Sequence, residues 1–243
     1  MMSEPDMHHP TTLFCLPHAG ASSSSYLMWK RLLPHHVVVR PVELAGRGKR
    51  IYEPLYGSIA EAVNDLYAQI SEELEIAPYA FFGHSMGTLL AYELVRTIKH
   101  HQRREPVHVF FSGRVPPFVP NDCEWTHTLP DAEFIQRVCD MGGTNPAVFE
   151  DKDLLEVILP VLRADYGIIE RYCHQGEIVM FDCQMAILHG RHDAYAEKTM
   201  MQRWQECARK GYTFHEFDGD HFFIQPFKAE ITELIQRTLV TLS

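Results

Sequence analysis

The chain has 243 residues, with 22 Lys and Arg against 32 Asp and Glu for a formal net charge of −10, and 46% of its residues are hydrophobic. A chain of this size buries a core without help from metals or disulfides. Its acidic excess argues against sequence-independent nucleic-acid binding and against adhesion to an anionic membrane surface, and no run reaches the ~18–20 apolar residues of a membrane span.

Residues 1–12 are polar, include His8 and His9, and hold no apolar run long enough for a signal peptide. The six cysteines (Cys15, Cys123, Cys139, Cys173, Cys183 and Cys207) are scattered without a C-x-x-C pair. Together these features point to free thiols in a reducing cytoplasm. Several of the 15 histidines sit side by side, as at His35–His36 and His100–His101. Sequence neighbours point apart on a helix or strand, so no metal site is expected.

In chain order, short apolar runs alternate with helical patterns. Residues 11–17 (TTLFCLP) and 36–43 (HVVVRPVE) read as strands. A helix follows, with Ser58 as N-cap and Ile59, Ala62, Val63, Leu66, Ile70 and Leu74 on one face. Residues 79–83 (YAFFG) predict a strand, 86–100 a helix, and 107–113 (VHVFFSG) a strand. From 115 to 181 the rhythm breaks at a Pro-rich bend (Pro116, Pro117, Pro120) and continues as two helical patterns near 131–140 and 151–172. Strands at 184–190 (QMAILHG) and 213–217 (TFHEF) and a helix from 226 to 242 complete the chain. Near-continuous apolarity suits strands covered on both faces, and strand–helix alternation predicts an α/β fold with a mostly parallel sheet. The expected organisation is one domain over 1–243, with a core at about 11–114 and 182–243 and a helical lid at about 115–181, too long for a plain loop.

Gly83-His84-Ser85-Met86-Gly87 matches G-x-S-x-G and sits between a strand and a helix. That is the place for a nucleophile elbow, whose glycines let strand and helix approach and whose helix N-terminus faces charge developing beside Ser85. A serine needs a base. In the chain order serine, acid, histidine, the candidates are Asp193 in G-R-H-D and His221 in G-D-H-F, each just past a strand where a parallel sheet gathers functional groups. His189 and His192 compete with His221 but flank the acid, Asp165 is an alternative acid from the lid, and Asp220 adjoins His221. For an oxyanion hole, the N–H of Met86 is one donor. The other comes from the loop Pro17-His18-Ala19-Gly20-Ala21, with Ala19 preferred and Gly20 and His18 left open.

L-F-C-L-P-H-A-G at 13–20, G-H-S-M-G-T-L-L-A-Y-E at 83–93, L-R-A-D-Y at 162–166, G-R-H-D at 190–193 and G-D-H-F-F-I at 219–224 resemble the type II thioesterases of nonribosomal peptide and polyketide synthesis. The resemblance runs from Leu13 to Leu242 and departs at Ala21, where the family usually has a second glycine, and in the serine run Ser22 to Ser25. It implies an α/β-hydrolase fold and a cytoplasmic, monomeric serine hydrolase without a cofactor of its own. The implied substrate is an acyl group on the 4′-phosphopantetheine thiol of an acyl- or peptidyl-carrier domain, removed so that the synthetase can restart, and the implied catalytic residues are Ser85, Asp193 and His221. Carrier domains are acidic, so a chain of charge −10 needs a local patch to dock. Arg47, Lys49 and Arg50 are one candidate and Arg163 another, with apolar contact from lid and elbow surfaces the preferred mode. A general carboxylesterase, a chain-releasing thioesterase with the same triad, and a non-enzymatic binding module are the alternatives.

Overall fold

The computed structural model describes residues 10–120, 125–143 and 147–240. Cys123, the His8–His9 pair and the predicted helix end at Leu242 lie outside the described residues. Six parallel strands, β1 (Thr11–Leu16), β2 (Val37–Pro41), β3 (Tyr79–His84), β4 (His108–Ser112), β5 (Gln184–Gly190) and β6 (Tyr212–Phe217), pair in the order β2-β1-β3-β4-β5-β6. All six lie within a residue or two of the apolar runs that predicted them. The helices are α1 (Trp29–Leu32), α2 (Ile59–Ile70), α3 (Met86–His100), α4 (Asp131–Met141), α5 (Ala147–Glu150), α6 (Lys152–Glu170), α7 (Lys198–Met201) and α8 (Lys228–Val240).

The near-continuous apolar strands have a direct cause. Phe14, Leu16, Phe81, Phe111 and Ile187 face one core beneath α2 and α3. The residues between them, among them Leu13, Cys15, Phe82, Phe110 and Leu188, face a second core with Trp29 of α1 and Ile231, Ile235 and Leu239 of α8. Side chains alternate across a strand, so a sheet buried on both faces needs apolar residues at every position. The described cysteines Cys15, Cys139, Cys173, Cys183 and Cys207 are free, as expected.

Helix α2 begins where the N-cap placed it. Ser58 Oγ accepts from Glu61 N–H at 3.2 Å, and Ile59, Ala62, Val63, Leu66 and Ile70 are buried. Between β4 and β5 lie α4, α5 and α6, which enclose a small cluster of Phe134, Val138 and Leu162. Asp151 caps α6 by accepting from Asp153 and Leu154 N–H, and Pro160 stands inside the helix. The four-residue helices α1, α5 and α7 escaped prediction because a single turn shows no helical period.

Two glycines set the spacing of the central layer. A Cβ on Gly83 would lie 2.2 Å from the carbonyl oxygen of Gly87, and one on Gly87 would lie 2.2 Å from that of Leu16. Backbone therefore touches backbone from β1 through the β3–α3 turn. Gly87→Ala is expected to destabilise the protein by at least about 2 kcal/mol, since backbone cannot swing aside as a side chain can. Chemical denaturation measures this, and a near-neutral result would show that α3 can shift.

Candidate active site

Ser85 links β3 to α3 in a left-handed conformation, φ 52° and ψ −114°. Such a conformation costs an L-residue of order 1–3 kcal/mol and persists where surrounding contacts over-determine it. Those contacts are visible. Ser85 N–H donates to Ser112 O at 2.9 Å, and Thr88 N–H donates to Ser85 O at 3.0 Å. Thr88 Oγ1 lies 2.8 Å from Gly83 O and 2.9 Å from Ser112 O, and accepts from Ser112 N–H at 3.1 Å. One buried hydroxyl thus ties the turn to β4. Sequence reasoning missed Thr88 and Ser112, because a threonine in the first turn of a helix carries no motif.

The candidate acid and base meet at the carboxyl end of the sheet. Asp193 follows β5 and His221 follows β6, and their loops are tied by bonds from Arg191 N–H to Phe217 O at 2.9 Å and from His192 N–H to Gly219 O at 3.0 Å. A Cβ on Gly190 would lie 2.3 Å from Asp220 O, so only glycine allows this approach. His221 Nδ1 lies 2.8 Å from Asp193 Oδ2, and His221 Nε2 lies 3.0 Å from Ser85 Oγ. A carboxylate only accepts, so Nδ1 carries the proton and the neutral ring offers its Nε2 lone pair to the serine hydroxyl. The other Asp193 oxygen accepts from Tyr195 N–H at 2.9 Å, and the Asp193 side chain is fully buried.

The competing residues are placed elsewhere. His192 is exposed and pairs with Asp218 at 3.0 Å, and His189 packs against Phe214. Asp220 accepts from Phe222 N–H at 2.8 Å. Asp165 is buried against Arg47 and Gly20. In the loop after β1, Gly20 N–H is taken by Asp165 Oδ2 at 2.8 Å. The N–H groups of His18, Ala19 and Met86 have no acceptor among the described residues, so Gly20 is excluded as a donor while His18 and Ala19 both stay open. Ala19, Ser85 and His221 share a cavity of about 450 Å³, whose walls include Val138, Met141, Leu162, Tyr166 and Ile169 from α4 and α6.

Of the candidate basic residues Lys49 is exposed, whereas the three arginines are engaged within the protein. Arg47 is 4% exposed and its guanidinium grips Asp165. Arg50 is held by Glu53 and Asp65. Arg163 reaches Asp131 and the carbonyl of His127 and lies over the Phe134 ring. Arginines close in sequence read as a patch only until their acidic partners, remote in the chain, come into place.

Behind the serine lie two further buried imidazoles. His84 Nδ1 meets Ser112 Oγ at 3.0 Å, while His84 Nε2 and His18 Nδ1 have no hydrogen-bond partner among the described residues. The rings of His18 and His84 stand 5.9 Å apart, and those of His84 and His221 5.2 Å. Burial, then the positive charge that His221 and Arg47 bring, pushes His18 down to about 4. Burial, reinforced by His221 and His18, holds His84 well below the ordinary imidazole value. Both shifts favour the neutral form of these rings beside His221.

A profile of the thioesterase domain matches residues 11–239. The chain is 34% identical over 230 residues to linear gramicidin dehydrogenase LgrE of Brevibacillus parabrevis, covering 93% of this chain and 87% of that one. It is 33% identical over 227 residues to gramicidin S biosynthesis protein GrsT of Aneurinibacillus migulanus, covering 93% and 88%. The crystal structure of ClbQ from the colibactin NRPS/PKS pathway matches with a TM-score of 0.91 at 33% identity, covering 96% of this chain and 98% of that one. These likenesses bear out the α/β-hydrolase fold and the resemblance carried by the five motifs.

The buried imidazoles make stability pH-dependent. A histidine whose folded pKa is depressed binds fewer protons when folded than when unfolded, so its contribution is present above about 6.5 and fades as pH falls toward about 4. Between pH 7 and pH 5, His18 alone is expected to cost about 2 kcal/mol of unfolding free energy. His18→Gln flattens that slope by this share in denaturant titrations at the two pH values. An unchanged slope would mean that His18 titrates normally.

Proposed function

The chain belongs to the thioesterase family, whose members hydrolyse thioesters, and we propose that its substrate is an acyl group on the 4′-phosphopantetheine thiol of a carrier domain in a nonribosomal peptide or polyketide synthetase. The observation that carries this reading is the unbroken line Ser85–His221–Asp193 opening into a cavity of about 450 Å³. Its volume lies within the range of small-molecule sites.

In this reading Ser85 Oγ attacks the thioester carbonyl while His221 Nε2 takes its proton, and Asp193 stabilises the imidazolium through Nδ1–H. The carbonyl oxygen gains charge beside the N–H groups of Met86 and Ala19, and the positive end of α3 adds to the attraction. The thiolate leaves with a proton from His221, and the same ring then draws a proton from water as it attacks the acyl-serine. A serine–imidazole–carboxylate line delivers a nucleophile to a carbonyl carbon, which is the chemistry of acyl hydrolysis.

Two further parts of the reading concern the substrate's approach. Helices α4 and α6 act as a lid, since they supply Val138, Met141, Leu162, Tyr166 and Ile169 to the wall of the cavity that holds Ser85. The carrier docks by apolar contact: Trp125, Leu154 and Val157 are exposed on this helical segment, and the arginines that might have attracted an acidic partner are already paired. The enzyme restores the free thiol and needs no cofactor of its own.

Mass spectrometry of an acetyl-loaded, phosphopantetheinylated carrier protein tests the proposal. Wild type is expected to regenerate the free thiol, and Ser85→Ala is expected to leave the acetyl group in place. Release by neither, with small oxygen esters still cleaved by wild type, would favour a general esterase. Asp193→Asn is expected to lower kcat by about 10⁴ with the fold intact, because the amide favours the wrong imidazole tautomer. A loss under tenfold would show that another group orients His221.

A further inference from the structure

Asp165 is 1% exposed and Arg47 is 4% exposed. Arg47 Nη1 and Nη2 meet the two Asp165 oxygens at 2.6 and 2.8 Å. Arg47 Nη1 also donates to Ala21 O at 3.2 Å, and its Nε to Ala45 O at 3.3 Å. Burying both charges is costly, and replacing such a pair with apolar residues is often neutral or stabilising. The pair is therefore poorly explained by stability alone. Its distinguishing contact is the third one, Gly20 N–H to Asp165 Oδ2 at 2.8 Å.

That contact falls on a turn. Ala21 N–H donates to His18 O at 3.1 Å, and Gly20 has φ +75°, so residues 18–21 form a β-turn with the positive φ at its third residue that marks type II. The central peptide of the turn, Ala19–Gly20, and the carbonyl of Ala21 are held from outside the loop, by Asp165 and Arg47 in turn, which fixes where the turn sits against α6. The N–H of that peptide is the one Asp165 holds. The turn also lies against α6, where a Cβ on Gly20 would come within 2.4 Å of Leu162 Cδ2. Leu162 and Asp165 are three apart and share one face of the helix.

We propose that Asp165, held by Arg47, is a positioning residue that anchors the 18–21 turn on α6 at the place where it presents Ala19 N–H to the developing oxyanion. The inference rests on the thioester-hydrolase reading above. The donor it positions acts on charge that exists only in the transition state, so its loss falls on kcat and leaves KM nearly unchanged. Asp165 touches no reacting atom.

Two double variants separate positioning from packing, since neither leaves a buried charge unpaired. R47M/D165N keeps a side-chain oxygen to accept from Gly20 N–H, whereas R47M/D165L removes it. With a short acyl-S-N-acetylcysteamine thioester, R47M/D165L is expected to lose on the order of 10- to 100-fold in kcat with KM within about threefold, part of the 10²–10³ that a whole oxyanion donor supplies. R47M/D165N is expected to keep kcat within about fivefold of wild type, while affinity for a trifluoromethyl ketone analogue falls in step with kcat/KM across the pair. Equal kcat in the two variants, or a loss confined to KM, overturns the proposal. If either variant fails to fold, amide exchange in the wild type decides: Gly20 N–H is expected to exchange much more slowly than Ala19 N–H, and equal rates overturn the anchor. A wild type that cleaves no thioester counts against the hydrolase reading, and the Gly20 exchange rate still decides the turn.

Discussion

Ser85 occupies a backbone conformation that an L-residue holds only when its neighbours leave no other. At φ 52° the serine is kept between β3 and α3 by Ser112 O, by the Thr88 hydroxyl and by the close passage of Gly83 and Gly87 against neighbouring backbone. Each of these needs the next strand in place: Ser112 ends β4, and Leu16, which the α3 backbone approaches, ends β1. The strain at one residue is thus offset by contacts spread over three strands and a helix. The two apolar cores on either face of the sheet hold that layer together.

Beyond the turn, the site is assembled by loops that leave the sheet at the same edge. β5 delivers Asp193 and β6 delivers His221, and the glycine at 190 lets their loops pack backbone to backbone. His221 is then surrounded by neutral rings, with His84, Phe222 and Tyr195 within 5.1 to 5.6 Å centroid to centroid. Such surroundings keep water from competing for the Asp193–His221 bond, and an electrostatic contact in a dry site is stronger than the same contact in solvent. The buried, unprotonated state of His84 and His18 belongs to the same design, because a second positive ring there would oppose the imidazolium.

The helical segment between β4 and β5 reaches into this arrangement at two points. Its α6 contributes Leu162, Tyr166 and Ile169 to the cavity wall and sends Asp165 to the turn after β1. Its α4 ends at Gly142 and Gly143, where a Cβ on Gly143 would fall within 1.9 Å of the Phe222 ring beside His221. The part of the molecule that lines the cavity is therefore in contact with both the turn and Phe222, the ring next to His221. Acyl shape and catalytic geometry are linked through packing, which transmits small displacements because it has little free volume.

Much of this was legible along the chain. The six strands, α2 with its Ser58 cap, α3 and the order Ser85, Asp193, His221 follow from local signals: apolarity at every strand position, a 3.6-residue period, a G-x-S-x-G turn, and functional groups at strand ends. These signals are local because side-chain direction within one element depends only on its own backbone period. The roles of Arg47 and Asp165 were not legible, since the two are 118 residues apart and nothing near either announces the other. Arg47 read as surface charge and Asp165 as a spare acid until the fold buried them together. That Gly20 N–H is not available as an oxyanion donor was likewise not legible, because its acceptor, Asp165, comes from a remote helix that packs over the loop. The sequence alone determined the six strands, the longer helices and which residues can do chemistry. Only the tertiary structure decided which polar groups are already spent on one another, because that is settled by contacts between segments far apart in the chain.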